Sequence, residues 1–125
     1  MQLLLDDANG AALIRSATGA RVEVGERVFE DSFLLTPDAI VAQWHDGDLL
    51  ALDSAAAASV LALGPAVVLL GTGATQQFPP AAFIAEFLSR GIGIEVMNTP
   101  AAARTYNVLA SEARRVVAAF WWPKD

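Results

Sequence analysis

The chain has 125 residues, of which 54% are apolar and 18% charged, with a formal net charge of −6 and no cysteine. That profile belongs to a folded domain rather than a disordered segment, and a chain of this length buries roughly two thirds of its unfolded surface. The lack of cysteine excludes disulfides, zinc–thiolate sites, iron–sulfur clusters and thiol nucleophiles, and the acidic balance argues against nucleic acid as a partner.

The opening "MQLLLDDANG" has no basic stretch and meets two aspartates after three leucines, so it does not read as a signal peptide, and a cytoplasmic location is expected. No internal repeat or linker follows, and residues 1–125 read as one unit. The first half is β-rich. "ALIRSA", "RVEVG", "RVFED", "SFLLT" and "AIVAQW" are short runs separated by turn signals at Thr18-Gly19, Gly25-Glu26 and Pro37-Asp38. Val22 and Val24 alternate with Arg21 and Glu23, as in a strand with one wet face. "HDGD" is a turn, and Asp53 or Ser54 caps a helix running to about Leu63.

From Ser54 to Ala85 there is no charged residue, a stretch long enough to span a membrane. Gly64-Pro65 interrupts it, with an alanine-rich half before and a β-branched half after. A buried helix, a turn and a buried strand are therefore expected, not a membrane span. "AVVLLG" is continuously apolar, as in a strand covered on both faces. Pro80 suits the first position of a helix, "PAAFIAEFLSR", which Gly91 ends. "GIGIEVM" is the next strand. Thr99 then caps a long helix with Pro100 at its first position, expected to run to about Trp121 and Trp122 before Pro123. Strand, helix and strand at this spacing make a parallel crossover, right-handed by rule.

The turn Gly71-Thr72-Gly73 raises the question of a phosphate loop. A dinucleotide fingerprint needs a third glycine, which would fall at Gln76, and a helix that starts at once, whereas Pro80 is several residues on. No Walker lysine follows either. The favoured role is conformational: the glycines let the chain leave a buried strand, with a positive φ at Gly73.

On the last helix, Tyr106, Leu109, Ala110, Ala113, Val116, Val117 and Phe120 share one face at about 100° per residue, and that face is expected to meet the core. Arg104, Asn107, Ser111 and Arg115 share the other, where Glu112 and Arg115 are spaced to pair along the helix. Arg104 lies near the positive end of the helix, where a cation is unfavourable unless it holds a carboxylate or an anion. It is expected either to pair with Glu95 or to point into a pocket edged by Gly71 to Gly73. With Phe120 on the core arc, one of Trp121 and Trp122 is expected to be exposed as a contact patch. His45, the only histidine, stands beside Asp46 and Asp48 in a turn, which reads as solvated loop rather than a metal site. No serine-hydrolase elbow is present.

"LLGTGATQQFPP" and "GIGIEVMNTPAAARTYNVLASEARRVVAAF", together with a β-rich start, resemble a small domain family of unknown function that includes mitochondrial respiratory complex I assembly factor 3. Gly71-Thr72-Gly73, the proline after the loop, Gly91, Glu95, Met97, Thr99 and the run Arg104-Thr105-Tyr106-Asn107 with Leu109, Glu112 and Arg114 carry the likeness. The N-terminal half matches only in pattern, and without a mitochondrial presequence the chain reads as a compact bacterial member. The resemblance implies a three-layer α/β fold around a mixed sheet, with a β-rich N-terminal half and a β-α-β-α C-terminal half. It implies no established catalytic activity, and no catalytic residue, cofactor or metal is expected. It points instead to a protein partner, of the kind the subunits of a membrane complex would supply, and leaves homo-oligomerisation open. Gly71, Thr72, Gly73, Glu95, Arg104 and Asn107 are the candidate ligand or partner site. An anionic ligand between the glycine loop and Arg104 is the alternative, and it calls for a closed pocket with converging polar groups. An interaction module calls for exposed apolar surface.

Overall fold

The computed structural model describes residues 11–124. Three short strands, β1 (Ile14–Ala17), β2 (Val22–Val24) and β3 (Arg27–Phe29), form an antiparallel sheet of their own. Val22 and Val24 are buried and Glu23 between them is only partly so, the expected alternation. A hairpin of β4 (Phe33–Thr36) and β5 (Ala39–Ala42) follows. It turns at Pro37-Asp38, where the Thr36 hydroxyl accepts the Asp38 N–H at 3.2 Å.

After a single 3-10 turn at Leu49–Ala51 comes helix α1 (Ser54–Leu61). Asp53 caps it, accepting the Ala56 N–H at 3.0 Å. The charge-free stretch is thus α1, a turn at Gly64-Pro65 and strand β6 (Val67–Gly71). Among the described residues no helix is long and apolar enough to cross a membrane. The chain continues with α2 (Ala81–Leu88), β7 (Gly93–Met97), α3 (Thr99–Ser111) and β8 (Val116–Phe120).

The five later strands form a mixed sheet in the order β5-β4-β8-β6-β7. β6 runs parallel to both β7 and β8, and β8 is antiparallel to β4. The last strand is therefore central. It joins the N-terminal hairpin to the parallel unit. The expectation that the last helix runs to Trp121 is corrected here: α3 stops at Ser111, and the C-terminal half reads β-α-β-α-β.

The stop has a clear backbone cause. Ala113 takes φ +60°, the left-handed conformation. The Arg114 N–H then reaches back to the Leu109 carbonyl at 3.0 Å and the Ala113 N–H to the Ala110 carbonyl at 3.1 Å. That pair of bonds is a Schellman ending, with alanine where glycine is usual.

Side chains of β8 alternate between two cores. Val116, Ala118, Phe120 and then Trp122 face α3 and the three-stranded sheet. Val117, Ala119 and Trp121 face α1 and α2. Three layers result, with the five-stranded sheet in the middle. Both tryptophans are buried, Trp121 at 5% and Trp122 at 7% exposure, so the expected C-terminal contact patch does not exist. The expectation assumed a helix, in which consecutive residues turn to different sides of one core-facing stripe. In a central strand consecutive residues face opposite layers, and here both layers are apolar.

Candidate functional site

The glycine loop sits where β6 leaves the sheet. Gly71 lies opposite Phe120 in the ladder, and a Cβ built on it would come within 2.8 Å of the Phe120 ring. Its lack of a side chain lets the ring lie flat beneath α3. Gly73 has φ +86°, the positive angle expected of it. Between them Thr72 is fully buried. Its hydroxyl donates to the Thr75 carbonyl at 2.7 Å and accepts the Gln77 N–H at 3.0 Å.

The loop is stitched to the start of α3. The Gly73 N–H donates to the Thr99 hydroxyl at 2.9 Å, and the Thr99 N–H donates back to the Gly73 carbonyl at 2.8 Å. Asn98 caps the helix by accepting the Ala101 N–H at 2.9 Å, one residue earlier than the expected Thr99 cap. The Thr72 N–H goes to the Met97 carbonyl at 3.0 Å, and Ala102 N–H to the Asn98 carbonyl at 3.0 Å. Pro100 has no N–H to offer. The N–H groups of Thr72, Gly73 and Gln77 in this loop and of Thr99, Ala101 and Ala102 at this helix end are thus committed to protein acceptors rather than open to a phosphate.

The candidate residues divide between two sides of α3. Gly71 packs towards Ala102. Arg104, two residues on, faces away and lines a depression of about 140 Å³ with Arg15, Ser16 and Pro100. It has no hydrogen-bond or ion-pair partner among the described residues, and neither does Glu95, exposed on β7. The expected Arg104–Glu95 pair is not made, and the pocket beside Arg104 is not edged by Gly71 to Gly73. Helix direction is the reason: about 200° separates positions 102 and 104, so a helix that sets one on the sheet sets the other off it.

Asn107 has a defined structural partner. Its side-chain oxygen accepts the Ile14 N–H at 2.8 Å, and its amide donates to the Ile14 carbonyl at 2.8 Å. The side chain stands in for a neighbouring strand along the open edge of β1. The Glu112–Arg115 helical pair is absent because the helix has already ended. Arg115 instead donates to the Leu63 carbonyl at 2.6 Å and lies 3.7 Å from the Asp38 carboxylate.

His45 is tied into its turn through a contact of Nε2 with the Asp48 carbonyl at 2.9 Å, while the Ser32 hydroxyl bonds the His45 backbone rather than its ring. Among the described residues no group of three or more His, Asp and Glu could hold a metal ion.

A feature that sequence reading missed lies at the carboxyl ends of β6 and β8, where ligands and partners of open α/β sheets commonly bind. A cleft of about 440 Å³ opens there between the 3-10 turn, the segment after the glycine loop and the chain end, lined by Asp48, Leu50, Gln77, Phe78, Trp121 and Pro123 among others. Trp121 holds its wall, donating its indole N–H to the Gly47 carbonyl at 2.9 Å. Leu50 and Phe78 are exposed, at 74% and 59%. The only sequence signal was an aromatic residue in the otherwise polar loop "ATQQFPP".

Residues 14–121 match the family described as "Protein of unknown function (DUF498/DUF598)". The chain belongs to this family. It is 35% identical over 97 residues, 76% of its own length and 55% of the other's, to a zebrafish (Danio rerio) protein named NADH dehydrogenase [ubiquinone] 1 alpha subcomplex assembly factor 3. It spans about half the length of the curated relatives it matches. Among solved structures of similar proteins, an NMR structure from Xanthomonas campestris is 49% identical with a TM-score of 0.82, covering 92% of this chain and 85% of that one. A crystal structure from Bordetella parapertussis is 31% identical with a TM-score of 0.80, covering 89% of this chain and 95% of that one. Family membership agrees with the resemblance carried by the glycine loop and the Arg104–Asn107 run, and places both within the matched region.

Proposed function

We propose that this member of the family is a non-enzymatic interaction module that binds a protein partner in the manner of an assembly factor. The observation that carries the reading is the pair Leu50 and Phe78. Both are large apolar side chains left in solvent at the mouth of one cleft, in a chain that otherwise buries its aromatic residues well. A partner covering such a pair removes apolar surface at about 25 cal/mol per Å². The Trp121 wall of the cleft is held in place by its hydrogen bond and by burial, as a preformed contact site requires. The likeness to a protein named as an assembly factor supports the same reading.

The test is affinity purification from the native host with the unaltered chain and with the double variant Leu50→Asp, Phe78→Asp. A partner recovered with the first and lost with the second, at equal thermal stability, is the expected result. A partner held equally by both, or none held by either, would count against the proposal.

A further inference from the structure

A chain of net charge −6 has few cations, and most of its clefts set them against acids. Arg114 and Arg115 share theirs with Asp38 and Glu112. Lys124 faces Asp31 and Asp46 on one side and Asp48 on the other. Arg27 lies beside Glu30 and Asp31. The depression between β1 and α3 differs: Arg15 and Arg104 line it, and among the described residues no carboxylate does.

Both guanidiniums are available. Arg104 has no partner among the described residues. Arg15 donates from one Nη to the Gly25 carbonyl at 2.9 Å, which leaves most of its five N–H donors. The acid bonded nearest to the depression is Glu23, which accepts the Ser16 hydroxyl at 2.8 Å and lies 3.7 Å from Arg21, so its charge is already answered. The rest of the lining is apolar at Ile14, Ala17, Pro100 and Ala103, with Ser16 and Asn107 polar but already bonded to Glu23 and to the Ile14 backbone.

We propose that this depression receives an acidic side chain of a protein partner, its carboxylate held between Arg15 and Arg104 and a small apolar neighbour laid over Ala17, Pro100 and Ala103. A planar guanidinium fork matches a carboxylate in two-point contact. At about 140 Å³ the depression is well below the roughly 300–1,000 Å³ of a cofactor pocket. Exposed ion pairs contribute only about 0–1 kcal/mol each, so a free anion gains little here, whereas a carboxylate carried on a polypeptide also lays its small apolar neighbours over the lining. The acidic residues elsewhere do not forbid this, since charges beyond about 8 Å are largely screened at physiological salt. The proposal rests on the reading of the chain as an interaction module and adds a second contact face, with the charge its partner carries there.

The experiment is a two-dimensional NMR titration of the full chain with a capped peptide, Ala-Glu-Ala-Glu-Ala, and with its glutamine counterpart. Amide shifts confined to residues 14–17 and 101–107, produced by the acidic peptide alone, are expected. Arg104→Gln and Arg15→Gln, both at exposed positions, should each weaken them about fivefold at unchanged thermal stability. Equal shifts from both peptides, shifts elsewhere, or none up to about 10 mM would overturn the proposal. So would equal shifts from sodium phosphate at the same concentration, which would mark a free-anion site. A silent depression with the Leu50- and Phe78-dependent partner retained sinks this inference alone. Peptide binding without such a partner sinks the earlier reading.

Discussion

At Gly73 the backbone angle of +86° and the paired bonds to Thr99 fix one geometry, and an L side chain there is strained whatever the space around it. An added Cβ would meet Pro123 at 3.4 Å, an ordinary contact, so the cost is conformational rather than steric. Gly73→Ala should destabilise by about 1 kcal/mol or more in chemical denaturation. An unchanged midpoint and slope would show that the loop relaxes freely. Ala113 is the converse case, an alanine at φ +60° closing α3. Ala113→Gly should stabilise by roughly 0.5–1 kcal/mol, since the relief of a left-handed L-residue exceeds the extra freedom glycine gives the unfolded chain. A lower melting temperature for that variant would refute the strain argument. The two sites also explain what could be read from the sequence. Gly73 announced its backbone through its residue type, and Ala113 concealed the same conformation behind a good helix former.

Among the elements, the order from β6 to the first turns of α3 was legible, because Gly64-Pro65, Pro80, Gly91 and Pro100 punctuate it. Pro80 nonetheless proves the N-cap of α2 rather than its first residue, and Asn98 rather than Thr99 caps α3. β8 was not. "VVAAF" follows helix formers without a break, and Val116, Val117 and Phe120 fit a helical stripe as readily as a strand buried on both faces. Length and β-branching favoured a strand there, but only the sheet, assembled from distant segments, decided it. The candidate site shared this limit. Local periodicity correctly set Arg104 and Asn107 away from the sheet-facing stripe of α3, yet gave no sign that β1 covers that side. Asn107→Leu tests the coupling, since it removes both bonds to Ile14. The expected cost is about 1–3 kcal/mol, with faster amide exchange at Ile14, because each bond contributes about 0.5–1.5 kcal/mol net. Unchanged stability together with unchanged exchange would mean that the β1 edge does not depend on the Asn107 amide.

For the whole molecule, the position of β8 means that the domain cannot close until the segment through Phe120 is present. Its neighbours, β4 and β6, come from the N-terminal hairpin and the parallel unit, and among the described residues it is the only strand that pairs with both. Its removal would open two strand edges in the middle of the sheet and strip both cores at once, because Phe120 and Trp122 fill one while Val117 and Trp121 fill the other. Burial of Val116, Val117, Phe120, Trp121 and Trp122 is worth about 1.5–3 kcal/mol each, roughly 10 kcal/mol in sum, which is of the order of a domain's entire net stability of about 5–15 kcal/mol. The chain ended after Arg115 should therefore show no cooperative thermal transition and no dispersed amide spectrum, though it keeps all but one of the elements. In the intact chain the amides of Val117 to Phe120 should exchange only through global unfolding, at the free energy that denaturation reports. A shortened chain that melts cooperatively, or β8 amides that exchange faster than those of the outer strand β7, would mean that the two halves hold together without the central strand.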